Sequence, residues 1–488
     1  MGLGDKSGSS RSPKKVKSED YQKLRRGSLN ERSRRMDASS VTPEVSTKEI
    51  RRQVANIASP ALVEMVLVSF VNVADMIMVG QLGAAAIAAV GLASQPIFLA
   101  TGMFQALNVG TTALVARFVG ADMINKANST TKQSLVVTAF LGALVSIIGY
   151  LLAPWVMTVM GAEPQVRPLG VTYMKIVCIG LGFRTLGAVS SSALRGAGDT
   201  RTPMAVNLTA NLVNVVGNYL LIYGHLGFPR WEIAGAAVAT SLADATACGL
   251  FLTVLFSGRS LLKVSPRGEY RPDWNLLNRV FSIGVPAAVE QLILRGGQVI
   301  YVRIVSSIGT AVLAAHQIGM NILNLSFMPG QAFSIAATTL VGQGLGAKNP
   351  DLAERSALET SRMGMIISTT IAGFMFVFGR SIAGLYTKDP EVIASTAMVL
   401  KIIGLVHPAQ STRFILSGGL RGAGDTRWPL YSTFIGIWGV RVVLGYLLAI
   451  VLGLGLLGAW LAMAVDQIAR AMIIHYRFRR GGWKRVRV

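Results

Sequence analysis

The chain has 488 residues, 51% of them hydrophobic and only 15% charged, with a mean hydropathy of +0.50. A soluble chain carries about a quarter charged residues, so this balance excludes an ordinary water-soluble domain and points to a protein whose solvent is partly lipid. The net charge of +23 does not point to nucleic acid, because beyond residue 52 the basic residues mostly flank long apolar runs.

In chain order, residues 1–46 are rich in Ser, Lys and Arg and read as a disordered basic cytoplasmic tail, with no short apolar run leading to a cleavage site. From Val54 onward, apolar runs long enough to cross a bilayer recur to the end. They predict an all-α integral membrane protein with twelve spans, at 54–79, 84–116, 133–157, 168–194, 202–223, 233–257, 276–305, 310–345, 360–379, 392–418, 428–452 and 456–476. The second and eighth are longer than a crossing needs, and Gly102, Gly110 and Pro329-Gly330 interrupt them, so bent helices are expected there. A first six-helix bundle is assigned to 47–256, a cytoplasmic linker to 257–275, a second bundle to 276–478 and a basic cytoplasmic tail to 479–488. Only Arg167, Arg230, Arg380 and Lys388 fall in loops opposite the tail, so the charge bias puts both termini inside. Cys178 and Cys248 lie within apolar segments and give no disulfide framework, and four scattered histidines give no zinc spacing.

The heptapeptide RGAGDTR occurs at 195–201 and again at 421–427. Its offset of 226 also aligns Pro60 with Pro286, Glu64 with Glu290, Gly120-Ala121 with Gly346-Ala347, Lys175 with Lys401 and Pro203 with Pro429. After a three-residue shift, Gly235 aligns with Gly458. Six spans per half is an even number, so both halves enter the membrane the same way. This predicts parallel repeats related by a pseudo-two-fold axis along the membrane normal. No strand precedes the heptapeptide and no Gly-Lys-Ser/Thr follows, so it is not a phosphate loop. It reads as a turn: glycines end the fourth helix, Asp199 or Thr200 caps the fifth, and Pro203 sits in the first turn.

Five carboxylates fall within the spans: Glu64, Asp75, Asp244, Glu290 and Asp466. A charge there costs at least about 2.5 kcal/mol, so it faces a cavity or a partner. Glu64 and Asp75 are eleven residues apart, three helical turns plus about 20°, and therefore share a face with Asn72 nearby. Lys175 is a candidate ion-pair partner for Asp75. Asn207, Asn211, Asn214 and Asn218 stand on one face of the fifth span, where amides either coordinate a cation or join helices. The second half repeats the first-span stripe as Glu290, Gln298 and Tyr301, but the amide ladder becomes Thr433, Ile437, Val440 and Leu444. Ion chemistry is thus expected mainly in the first half, with Glu290, Gln298, Tyr301, Asp244 and His316 as a possible second ion or substrate site. Asp466 and Arg470 read as a structural i, i+4 pair, and His316 fits a packing role as well as a site.

Two six-helix repeats, each closing its fourth span with RGAGDTR, resemble the multidrug and toxic compound extrusion (MATE) family in its bacterial NorM/DinF-like branch. VADMIMVGQLG in span one, NVVGNYLLIYG in span five, and AAHQIGMN and FMPGQAFSIAATTLVGQGLGA in span eight support this over most of 50–480. The resemblance implies secondary-active export of amphipathic, often cationic compounds from the inner or plasma membrane, driven by a sodium or proton gradient, by a monomer without other cofactors. It implies that Asp75 is the coupling residue, with Glu64, Asn72, Asn211, Asn214 and Asn218 around it and sodium possible at Asp75, Asn214 and Asn218. Family members often have Asp where Asn218 stands, and Asn cannot carry a proton. A flippase of lipid-linked sugars or peptidoglycan precursors is the alternative, for which Arg184, Arg295 and Arg413 would line a cationic cavity. A membrane-embedded enzyme needs convergent nucleophile, base or metal ligands, which the sequence does not provide.

Overall fold

The computed structural model describes residues 45–265 and 271–486, so nearly all of the expected tail over 1–46 lies outside the described residues. Twelve helices are long and apolar enough to cross a membrane: α1 Thr47–Gly80, α2 Ala84–Gly120, α3 Ile124–Val159, α4 Val166–Gly196, α5 Arg201–Tyr223, α6 Glu232–Ser257, α7 Trp274–Ser306, α8 Thr310–Gly346, α9 Pro350–Gly384, α10 Pro390–Gly422, α11 Arg427–Val451 and α12 Gly455–Arg479. No strand occurs among the described residues. In hydrocarbon every backbone amide must be satisfied within its own segment, and continuous helices do this.

The twelve expected spans are all present, but several helices outrun them. α3 begins at Ile124 and α9 at Pro350, each about nine residues before the apolar run. The polar first turns of α3 hold themselves in place, with Thr130 and Thr131 donating to the carbonyls four residues back. α2 is interrupted at Phe104 and α8 at Phe327, where the sequence suggested bends. α11 departs furthest from expectation. It is π-helical over Ile435–Val442 and again over Leu447–Val451, whereas its repeat partner α5 is α-helical throughout.

RGAGDTR is a turn in both halves. Gly198 (φ 90°) and Gly424 (φ 84°) take the left-handed conformation that favours glycine. Asp199 N–H bonds the Leu194 carbonyl and Gly198 N–H that of Arg195, and the second copy repeats both bonds. Asp199 then accepts from the backbone and hydroxyl of Thr202, fixing the start of α5.

The two turns also lie on a seam between the bundles. A β-carbon on Gly120 would collide with the Gln343 carbonyl, and one on Gly346 with that of Arg117. Residues 117 and 343 are themselves related by the offset of 226, so the seam is two-fold. Gln343 donates to the Gly196 carbonyl at 3.2 Å, and Arg117 to that of Ala423 at 3.3 Å. Arg51 on α1 pairs with Glu359 on α9 at 2.9 Å. At the same end the C-terminal segment folds back. Trp483 is fully buried and stacked on Phe478, and Lys484 lies 2.5 Å from Glu354.

Candidate functional site

Asp75 stands in the last third of α1, opposite α5. Asn214 and Asn218, one turn apart on α5, are 5% and 1% exposed and converge on it. Asn218 donates to the carboxylate at 2.7 Å. The Asn214 amide, oriented with its nitrogen toward Asp75, donates at 2.8 and 3.0 Å to the two oxygens. Asn214 also lies 3.4 Å from the Thr240 hydroxyl on α6. Tyr173 on α4 packs against the cluster that holds Val79 of α1 and Ile222 of α5, just beyond this site. The Tyr223 hydroxyl donates to the Met78 carbonyl and pins the end of α1 to α5. Among the described residues Asp75 has no ion-pair partner. Lys175, weighed as its partner, instead sits 5.2 Å over the ring of Tyr150.

A second polar cluster lies about three turns nearer the termini. Glu64 is 7% exposed and accepts from Arg195 and Asn207, both at 2.6 Å. Arg195 is the first residue of RGAGDTR, so the heptapeptide supplies a cation as well as a turn. Arg195 and Asn207, together with Gln105, Asn108 and the Arg184–Asp244 pair, wall a polar chamber of about 340 Å³. Arg184 holds Asp244 through its Nε at 3.0 and 3.2 Å. The structure therefore divides the expected stripe in two: Asp75 with Asn214 and Asn218, and Glu64 with Asn207. Asn72 is exposed, Asn211 is half-buried, and neither makes a side-chain hydrogen bond among the described residues.

The second bundle repeats the Glu64 cluster residue for residue. Glu290 accepts from Arg421 at 2.8 Å and from Thr433 at 3.0 Å, the positions matching Arg195 and Asn207. The counterpart of the Asp75 site is different and drier. The Tyr301 hydroxyl donates to the Ala459 carbonyl, and its ring neighbours His316, which packs in turn against Trp460. His316 is 1% exposed and its Nδ1 has no partner among the described residues. Gln298 is half-buried, without a side-chain hydrogen bond among the described residues. Asp466 is fully buried between Arg470, its expected partner on α12, and Arg441 of π-helical α11.

Reasoning from sequence missed Arg195 and Arg421 as the partners of Glu64 and Glu290, missed Arg184, named only as a cavity cation, as the partner of Asp244, and missed Tyr173 and Thr240. The arginines were findable, because each acid and its arginine recur together at the offset of 226. No group of three or more His, Cys, Asp or Glu suited to a transition metal occurs among the described residues. The Asp75 site does suit a hard monovalent cation or a proton. It offers a carboxylate, amide oxygens and the Thr240 hydroxyl, and the buried Asn218 Oδ1 has no hydrogen-bond partner among the described residues.

Comparison with known proteins agrees over nearly the whole chain. The sequence pattern of the family described as MatE matches residues 60–220 and 286–447, once in each half. A probable multidrug resistance protein NorM of Thermotoga maritima is 32% identical over 448 residues, covering 91% of this chain and 95% of that protein. The uncharacterized transporter YisQ of Bacillus subtilis is 28% identical over 425 residues, covering 87% of this chain and 93% of its own length. A crystal structure of MATE in the straight conformation shares the fold, with a TM-score of 0.82 at 23% identity over 88% of this chain and 96% of that one. With the pattern found in both repeats and a relative above 30% identity along nearly its full length, this multi-pass membrane protein belongs to the MatE family of transporters.

Proposed function

We propose that the protein is a secondary-active efflux antiporter that exports amphipathic, often cationic compounds by alternating access, acting as a monomer with both termini in the cytoplasm. The observation that carries this reading is Asp75, a half-buried carboxylate in a membrane helix held by two amide donors and by no cationic side chain among the described residues. Such a group is costly unless something charged visits it. Both amides present nitrogen to Asp75, the arrangement that satisfies an ionised acid. A proton on Asp75 needs one acceptor and a sodium ion beside it needs oxygen ligands, so either favours reversal of at least one amide. That reversal changes how α1 and α5 are joined. An ion drives transport only if it binds one conformation better than the other, and this site gives it the means.

The seam fits the same scheme. Close packing at Gly120 and Gly346 and the Arg51–Glu359 pair shut the end that carries the termini. In this reading that is the cytoplasmic end, and a cycle must open it to load substrate.

The test is efflux of a cationic dye from reconstituted vesicles under separately imposed sodium and proton gradients. One gradient is expected to drive export in the wild type, and Asp75→Asn to abolish that dependence. Wild-type coupling in the variant would refute the assignment.

A further inference from the structure

The charge lodged in the second bundle does not balance. Arg413 on α10, Arg441 on α11 and Arg470 on α12 are 6%, 4% and 2% exposed, and Arg421 completes the group at the end of α10. Against four guanidinium groups stand two carboxylates, Glu290 and Asp466, and both are committed. Glu290 gives one oxygen to Arg421 and the other to Thr433. Asp466 is shared by Arg441 and Arg470. Arg413 forms no hydrogen bond or ion pair among the described residues, and its guanidinium lies 4.1 Å from the centre of the Phe414 ring. Nη1 of Arg470 is likewise buried without a partner among the described residues. A lysine could shed its proton in such a place, but an arginine does not. The surplus positive charge therefore has no protein carboxylate of its own among the described residues.

Gln410, one turn before Arg413, and Gln467 are the polar residues of a small, mostly apolar cavity lined also by Leu323, Trp460 and Met463. With its amide turned, Gln467 accepts from Arg441 and Arg470 at 3.1 and 3.2 Å, so the arginines lie directly behind that wall. Arg441 is carried by the π-helical stretch Ile435–Val442, a rare backbone form that concentrates at functional sites. The cluster belongs to one bundle only. The positions matching Arg413, Arg441, Asp466 and Arg470 in the first half are Gly187, Val215, Ala243 and Ala247.

We propose that the arginine cluster of the second bundle is a binding site for an oxyanion (a carboxylate, sulfonate or phosphate), with Arg413 and Arg470 as its ligands. Their planar forks match two oxygens of such a group. Where the proposed efflux activity holds, on which only the transport consequence rests, the site receives the acidic group of a zwitterionic substrate and widens export beyond simple cations.

Two rhodamine dyes that share one ring system test this, one a cationic ester and the other its zwitterionic free acid. In vesicles, Arg413→Gln is expected to cut export of the free acid at least about tenfold while ester export stays within about twofold, and Arg413→Lys to restore part of the loss. Equal loss of both dyes, with no rescue by Lys, would make the cluster structural and overturn the proposal; equal retention of both would remove the transport consequence and leave the decision to the binding arm. Should the wild type export neither dye, the efflux reading falls by itself and a binding arm decides. Sodium sulfate, compared with sodium chloride at equal ionic strength, is expected to raise the unfolding temperature of the purified wild type more than that of Arg413→Gln, whose own rise reports the general stabilisation by sulfate. Sulfate protection without acid–ester discrimination assigns the site to a free oxyanion. Absence of both effects refutes it.

Discussion

The two bundles share one clasp and diverge beyond it. In each, an acid of the first helix is held by the leading arginine of RGAGDTR and by a polar side chain of the fifth helix: Glu64 with Arg195 and Asn207, Glu290 with Arg421 and Thr433. Farther along the same helices the first bundle places Asp75 between two amides, while the second places Tyr301 against a backbone carbonyl. The Arg184–Asp244 pair of the first bundle corresponds to Gln410 and Gln467, which wall a cavity in the second. Among the described residues the first bundle thus carries an acid without a base, Asp75, and the second an arginine without an acid, Arg413. Duplication supplied a scaffold with one clasp per copy, and the chemistry was written separately into each.

Four experiments would break or sharpen this contrast, in order of expected effect. Asp75→Asn should lower gradient-driven dye efflux by on the order of a hundredfold, whereas Tyr301→Phe should leave the gradient dependence in place. Comparable losses in both would erase the functional difference between the bundles. Next, Asp466→Ala should destabilise the purified protein by about 3–5 kcal/mol, because it strands two buried arginines. Asp244→Ala should cost less, since Arg184 is a third exposed and keeps access to the polar chamber. Thermal unfolding of the two variants side by side settles the ranking. Glu64→Gln and Glu290→Gln, which perturb matching clasps, should each cost about 1–3 kcal/mol and by similar amounts; a large inequality would mean that one clasp does more than join helices. Tyr223→Phe, which frees the Met78 carbonyl, should give the smallest change, about 1 kcal/mol in the same assay.

Much of the fold was legible because a bilayer enforces it. Twenty apolar residues have one stable way across, and a duplicated sequence has to fold twice, so the twelve crossings and their pairing followed from hydropathy and the offset of 226. Helix ends were not legible. Hydropathy marks the stretch inside hydrocarbon, and α3 and α9 continue beyond it on polar residues that bond their own backbone. Within the candidate site, spacing correctly put Asn214 and Asn218 on one face of α5, but it could not tell which turn of α1 they would meet. The partner of an acid lies on another helix, and sequence spacing carries no rotation between helices. Lys175 was therefore weighed for Asp75 on charge alone, and it turned toward Tyr150. The π-helical turns of α11 leave no mark in the apolar pattern, so Arg441 was not connected with Asp466.

The seam at Gly120 and Gly346 has a bearing on ancestry and on engineering. Each half offers the other the same patch, a glycine facing the backbone three positions before its counterpart. A surface of that kind is its own complement, as in a symmetric dimer. Two separately expressed six-helix halves should accordingly find each other in a membrane, and an isolated half should already hold the docking face needed to pair with a second copy of itself.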